Sequence, residues 1–257
     1  MELKKQYTID DLIKILEILR GENGCPWDRV QTHDSIKKDM IEEAYEAIDA
    51  LDKGDDNMFS NELGDVLLQV VFHSQLAKER GAFDFNNVLN EICTKLITRH
   101  THVFGNVKAD GEEEALVNWE ANKKKEKAIK SHTDNLRDVP MYLPALMRAQ
   151  KVQKRAAGVG FDFESAEQAI LKLEEEISEL KAAISDKTNV KEEFGDVLFS
   201  VVNIARHIGV DSETTLLEAV EKFILRFSKM EDKAMSESRD LESMNLEEMD
   251  EIWGKIK

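Results

Sequence analysis

The feature that most restricts the folds open to this chain is an internal duplication. The first half carries, in order, Glu42-Glu43-x-x-Glu46, Glu62-x-x-Asp65, Lys95-x-x-x-Arg99 and Trp119-x-x-x-Lys123. The second half carries Glu175-Glu176-x-x-Glu179, Glu193-x-x-Asp196, Lys222-x-x-x-Arg226 and Trp253-x-x-x-Lys257. Upstream, Gly24-Cys-Pro-Trp-Asp28 corresponds loosely to Gly158-Val-Gly-Phe-Asp162. Any one of these matches is cheap, but a shared order is not. Two like domains are therefore expected, at 1–128 and 136–257. Between Ile129 and Pro140 a lysine-rich segment (Lys123, Lys124, Lys125, Lys127) gives way to a polar stretch, and Pro144 follows.

Three prolines and twelve glycines in 257 residues, with Leu, Glu, Lys and Ala abundant, predict helices throughout. Each repeat reads as four or five of them. In the second, Leu143 to Ala157 forms a helix ended by Gly158 and Gly160. Ser165-x-x-Gln168 reads as a capping box opening the next, whose apolar stripe is Ile170, Leu173, Ile177, Leu180 and Ile184. Two more helices run from about Val190 to Ile208 and from Ser212 to Met235.

The formal charge of -17 argues against a nucleic-acid or anionic-membrane surface, since phosphate backbones need clustered Lys and Arg. A small phosphorylated ligand stays possible if a cation mediates the contact. Cys25 and Cys93 form no CxxC or disulfide framework, which fits a reducing cytoplasm. No signal peptide and no membrane-length apolar run are visible.

On the helix from Val190, apolar residues cover most of the circumference at about 100° per residue. One polar stripe remains: Glu192, Glu193, Asp196, Ser200, Asn203 and His207. A helix apolar on most sides is normally buried, so this stripe is expected to face an internal cleft. The first repeat has the same pattern in Glu62, Asp65, Gln69 and His73. On the preceding helix Lys172, Glu175, Glu176 and Glu179 share one arc, and the short connection Ser185 to Asn189 makes the two helices antiparallel neighbours. Acids then converge across one helix pair. Two carboxylates ~5 Å apart repel by ~3 kcal/mol at an effective dielectric of 20, so a crowd of them calls for a cation or protonation. Oxygen-only ligands point to a hard ion, magnesium being the natural choice. A solvated charged face is the competing explanation for EExxE alone. Its recurrence beside an acid stripe on a mostly apolar helix argues against that explanation. A di-iron bundle would need Glu-x-x-His, which no histidine here satisfies.

Lys222 and Arg226 lie one turn apart and suit a phosphate clamp, echoed by Lys95 and Arg99. Trp253 serves either as a core anchor or as a stacking surface for a base, with Trp119 as its echo. His100 and His102 do not share a helical face, and His33 and His132 read as loop residues. With no nucleophile–base pair, Gly-rich phosphate loop or zinc spacing visible, water activated by a metal fits better than covalent catalysis.

Together with Val139-Pro-x-x-Leu-Pro-Ala-Leu146 and the Lys222-Phe-x-x-Arg-Phe227 run, these motifs make the chain resemble the MazG-type nucleoside triphosphate pyrophosphohydrolases over essentially its full length. The resemblance implies tandem all-α helical-bundle domains of the all-α NTP pyrophosphatase type and a magnesium-dependent homodimer. It also implies cleavage of nucleoside triphosphates between the α and β phosphates. By it, Glu175, Glu176, Glu179, Glu193 and Asp196 hold magnesium and orient water, with Glu176, Glu179, Glu193 and Asp196 catalytic. Lys172, Glu175, Glu192, Lys222, Arg226, Trp253 and Lys257 meet the substrate. The C-terminal domain carries activity in characterised relatives. The first repeat keeps its own acids as a possible second site: Glu42, Glu43, Glu46, Glu62 and Asp65, with Lys95, Arg99, Trp119 and Lys123. Asn189 stands where a phosphate-binding lysine is expected, with Lys191 close by, and Asp39 occupies the position equivalent to Lys172. Two other readings are an enzyme narrowed to one substrate, such as dUTP or phosphoribosyl-ATP, and a catalytically silent helical module that binds nucleotides or a protein partner.

Overall fold

A computed structural model describes residues 3–126 and 130–256. Among the described residues all regular structure is helical. The chain divides into two compact units, 1–126 and 127–257.

In the first unit α1 (Ile9–Arg20) starts at a reciprocal capping box between Thr8 and Asp11. Short helices α2 (Pro26–Val30) and α3 (His33–Ile36) follow, then α4 (Asp39–Asp52) and α5 (Asp56–Glu79). The α4–α5 turn needs a left-handed residue, which Gly54 supplies at φ 69°; Asp55 then caps α5 through the amides of Asn57 and Met58. α6 (Phe85–Arg99), α7 (Thr101–Phe104) and α8 (Glu112–Glu126) complete the unit. Its core joins Leu16, Ile36, Val71, Phe72, Leu76 and Phe85. Arg20 ties that core to the surface: its side chain is only 6% exposed, it grips Glu79 with two bonds of 2.8 and 2.7 Å, and it donates to the Asp28 carbonyl.

In the second unit α9 (His132–Arg137) and α10 (Ala145–Ala157) precede α11 (Ala166–Asp186) and α12 (Val190–His207). Ser165 caps α11 by accepting from the Gln168 amide. The Gln168 side chain, however, accepts from the Glu164 amide rather than from Ser165, so the expected capping box is formed on one side only. Lys187 and Asn189 both adopt left-handed backbone where the first repeat uses a glycine. α13 (Ser212–Ser236), a 3₁₀ turn (Leu241–Ser243) and α14 (Leu246–Lys255) end the unit, held by Met230, Ala234, Met244 and Ile252. Two glutamines of α10 fix its neighbours. Gln153 donates to the Phe199 carbonyl at 2.8 Å, and Gln150 accepts from the amide and hydroxyl of Ser212.

Helices α4 and α5, and likewise α11 and α12, pack as antiparallel pairs. Ala47, Ala50, Ala169 and Ala183 are buried and small, which lets the paired backbones approach closely. The boundaries are finer than the sequence periodicity suggests, because α2, α3, α7 and α9 are too short to show a hydrophobic period. His33 and His132, expected in loops, each begin such a short helix. A larger difference concerns α12. Its polar stripe was expected to face an internal cleft while the rest was buried, yet Phe194 is 53% exposed and Leu198, Phe199 and Val201 are exposed too. One antiparallel neighbour and α10 cannot cover a helix that is apolar on most sides.

Candidate metal and nucleotide site

Helical spacing places Glu176 on α11 opposite Glu193 and Asp196 on α12. One carboxylate oxygen from each lies within 4.8 Å of the others. Glu176 is buried, at 6% exposure, while Asp196 is open to solvent. Desolvation, followed by the charges of Glu179, Asp196, Glu192 and Glu176, pushes the Glu193 carboxyl above the ordinary glutamate value. Glu179 and Glu192 therefore lie within electrostatic reach of this cluster, though outside its tightest group. Glu175 lies outside that group of three. It is exposed and accepts from Lys172 at 2.8 Å, and the same ammonium lies 2.8 Å from Glu176. Hydrogen bonds to Glu175 and then Glu176 raise the Lys172 ammonium above its usual range.

The first repeat builds a matching cluster from Glu43, Glu46 and Glu62. Desolvation, then Asp65, Glu46 and Glu62, raises the Glu43 carboxyl, and a hydrogen bond from Gln69 opposes the rise. Glu42 is exposed at its edge. Asp39 starts α4 where the second repeat has Lys172.

The basic and aromatic residues gather at α13 and α14. The Arg226 guanidinium lies 4.3 Å from the Trp253 ring centroid and donates to the Trp253 carbonyl at 2.6 Å. Phe223 meets the same indole at 5.3 Å. Lys222 is exposed one turn away, and Lys257 lies outside the described residues. Trp253 thus anchors α14 on α13 and also presents an aromatic surface. In the first repeat Arg99 sits 5.7 Å and Lys123 4.8 Å from the Trp119 ring. There Arg99 is gripped by Glu126 at 2.8 and 3.0 Å. Among the described residues no carboxylate pairs with Arg226, and its Nε is buried without a partner. Lys95 pairs only loosely with Glu91, at 3.5 Å.

Sequence spacing did not reveal the use of Asp162. Desolvation works to raise its carboxyl, but a hydrogen bond and the charge of Arg206 hold it below the usual range. Asp162 also lies 3.2 Å from His207 Nε2, while Arg206 donates to Asn203 at 2.7 Å. Asn203 and His207, on the polar stripe of α12, therefore lock the loop after α10 onto the helix end. The recurring Asp at the end of the upstream motif was the available signal. His33 and His73 of the first repeat stack at 5.1 Å with their Nδ1 atoms 2.8 Å apart.

Both acid-bearing helical pairs fall within segments that match a known family. The MazG nucleotide pyrophosphohydrolase domain matches residues 31–104 and again 164–230. The chain belongs to the MazG family. It is 45% identical over 248 residues to the nucleoside triphosphate pyrophosphohydrolase/pyrophosphatase MazG of Thermotoga maritima, covering 96% of this chain and 95% of that protein. It is 44% identical over 254 residues to the nucleoside triphosphate pyrophosphohydrolase of Escherichia coli K12, covering 97% of each. A Bacillus subtilis protein, YabN, is 45% identical over 246 residues, which is 95% of this chain and 50% of YabN. The two matched segments each contain one α-helical pair and its acids, so the duplication read in the sequence is a duplication of this family's domain.

Proposed function

We propose that this nucleoside triphosphate pyrophosphohydrolase carries its chemistry in the second repeat. The reaction converts a nucleoside triphosphate to the monophosphate and pyrophosphate. The observation that carries the assignment is the convergence of Glu176, Glu193 and Asp196 within 4.8 Å, with Lys172 on Glu176 and an acid-free Arg226 in the same unit. The donor set fits a hard divalent cation, since every ligand is a carboxylate oxygen and the Glu193 carboxyl is already strained towards protonation by its neighbours. Glu176, Glu193 and Asp196 would hold magnesium, with Glu179 and Glu175 at its edge. When bound, the ion neutralises phosphate charge and makes water a better nucleophile.

The chain's own residues do the rest. Glu176, Glu179, Glu193 and Asp196 orient the attacking water, and one of these carboxylates accepts its proton. Lys172, Lys222 and Arg226 bind the triphosphate, Arg226 through its planar fork. Cationic groups fixed before the reaction stabilise charge developing on the phosphates without reorganising. Trp253 offers its ring to the base, and by the family resemblance Glu192 and Lys257 also meet the substrate. The first repeat is less suited to this task. Arg99 is neutralised by Glu126, and Asp39 replaces the lysine.

The exposed apolar faces of α12 and α13, including Phe194, Leu198, Leu216 and Val220, support a homodimer in which a second copy covers them. No described helix is long and apolar enough to cross a membrane. With a charge of -17, this favours a cytoplasmic enzyme that does not bind nucleic acid. The test is a panel of ribo- and deoxyribonucleoside triphosphates, with and without magnesium, resolving monophosphate plus pyrophosphate from diphosphate plus phosphate. Nucleotide binding with no pyrophosphate release would instead favour a silent regulatory module.

A further inference from the structure

The two acid clusters differ in one respect that bears on how each acquires a cation. In the second repeat an ammonium already sits among the acids: Lys172 Nζ is 2.8 Å from both Glu175 and Glu176. In the first repeat none of the ion pairs among the described residues involves Glu43, Glu46, Glu62 or Asp65, and the position of Lys172 is held by Asp39. A second observation points to a ligand there. Gln69 on α5 is 8% exposed and hydrogen-bonds Glu43, yet its Oε1 is buried without a partner. It is the Gln69 NH2 that faces Glu43; an amide oxygen is a usual ligand for a hard cation, and turning this amide over would give its costly unpaired oxygen a cation partner among the carboxylates. The second repeat has the shorter Ser200 seven positions after Glu193, where the first has Gln69 seven after Glu62.

We propose that the repeats load differently: the first-repeat cluster of Glu43, Glu46, Glu62 and Gln69 binds a free divalent cation without nucleotide, whereas Lys172 closes the second-repeat cluster to a free ion until a triphosphate draws the lysine away. The second half of this statement rests on the reading of the second repeat as the catalytic site; the first half does not. Lys172 is on this account an internal substitute for the cation, occupying Glu176 while the site is empty of substrate. Phosphate oxygens compete for the ammonium, so arrival of the triphosphate frees a ligand as it delivers its own ion. The first repeat has no such competitor, and its ion steadies the α4–α5 pair rather than taking part in turnover.

The test uses the full chain, stripped of metal and titrated with Mn²⁺ as a hard-ion probe, free Mn²⁺ being read by electron paramagnetic resonance. One Mn²⁺ per chain is expected without nucleotide. Glu43→Gln, which keeps the shape and removes a charge, weakens that ion by about tenfold or more, and so does Glu46→Gln at the exposed edge. Glu176→Gln leaves it unchanged. Lys172→Met admits a second Mn²⁺ in the absence of nucleotide, and a non-hydrolysable triphosphate analogue admits a second one to the unmodified chain. The proposal is overturned by zero or two nucleotide-free ions in the unmodified chain, or by an ion lost in Glu176→Gln and kept in Glu43→Gln. A single ion in Lys172→Met overturns the gating half. Turnover in Glu176→Gln is measured separately: if it persists, the catalytic reading falls while the first-repeat ion stands.

Discussion

Replacing Arg226 by lysine separates two jobs of one side chain, the observed fastening of Trp253 and the proposed grip on phosphate. The guanidinium donates to the Trp253 carbonyl at 2.6 Å and lies 4.3 Å from the indole centroid. A charge-assisted hydrogen bond contributes about 1.5–3 kcal/mol and a cation–π contact about 0.5–2 kcal/mol. Arg226 is half-buried, so the lower ends apply, and lysine keeps the charge and part of the contact. The loss from Arg226→Lys is therefore about 1–2 kcal/mol. For a unit of this size that lowers Tm by roughly 3–10 °C. Lysine also lacks the planar fork that grips phosphate in two places, so kcat/KM should fall by about tenfold. Differential scanning calorimetry and steady-state kinetics on one preparation read both effects. Lys222→Ala, one turn away and exposed, should lower kcat/KM with Tm moved by less than about 1 °C. Unchanged kinetics with a lowered Tm would leave Arg226 a fastener of α14 and remove it from the substrate site. No change in either would refute both assignments.

Arg20→Ala should destabilise the first unit by about 2–3 kcal/mol, because it removes a two-bond grip on the exposed Glu79 and empties a buried position beside Phe72; chemical denaturation should show it, and a loss under about 1 kcal/mol would contradict the packing described. Stability should also respond to pH through Glu43 and Glu193, both raised above ordinary carboxylates. Between the unfolded and the raised folded values these two carboxyls hold more protons in the folded chain, so the stability they contribute to the metal-free protein is lost as pH rises through that window. Free magnesium binds the ionised form of the first-repeat cluster, so the Tm gained on adding it without nucleotide should grow with pH. Groups such as Glu17 and Glu79, lowered by Lys78 and Arg20 respectively, act alike with and without metal and drop out of the difference. A magnesium gain that is flat across pH, or larger in acid, would contradict the first-repeat cluster as a cation site.

Much of this architecture is legible from residue spacing. The Ser165 cap, the apolar stripe of α11 and the short connection to α12 fix an antiparallel pair, and the acid positions then follow from helical geometry. Spacing put Glu175 and Glu176 on one arc with Lys172, but only the fold shows that this lysine pairs with both. The polar stripe of α12 was read as a single functional face. Its upper part is acidic, while Asn203 and His207 instead bind a loop through Arg206 and Asp162, a partner too distant in sequence for periodicity to reveal. Arg99 and Arg226 are indistinguishable as motifs, and only the fold shows that Glu126 neutralises the first. The apolar breadth of α12 was plain in the sequence. What covers Phe194 and Leu198 is not encoded in one chain's hydrophobic period.

The central claim is that acids from α11 and α12 together hold the ion on which hydrolysis depends. It is tested most directly by Glu193→Gln, assayed in ¹⁸O-labelled water across a magnesium titration, with folding checked by circular dichroism. The unmodified enzyme should release monophosphate and pyrophosphate, with one labelled oxygen per turnover and no products after chelation. Glu193→Gln, folded and equally helical, should lose at least about a hundredfold in kcat at saturating magnesium. Full turnover by that variant, or undiminished turnover in chelator, would contradict the account.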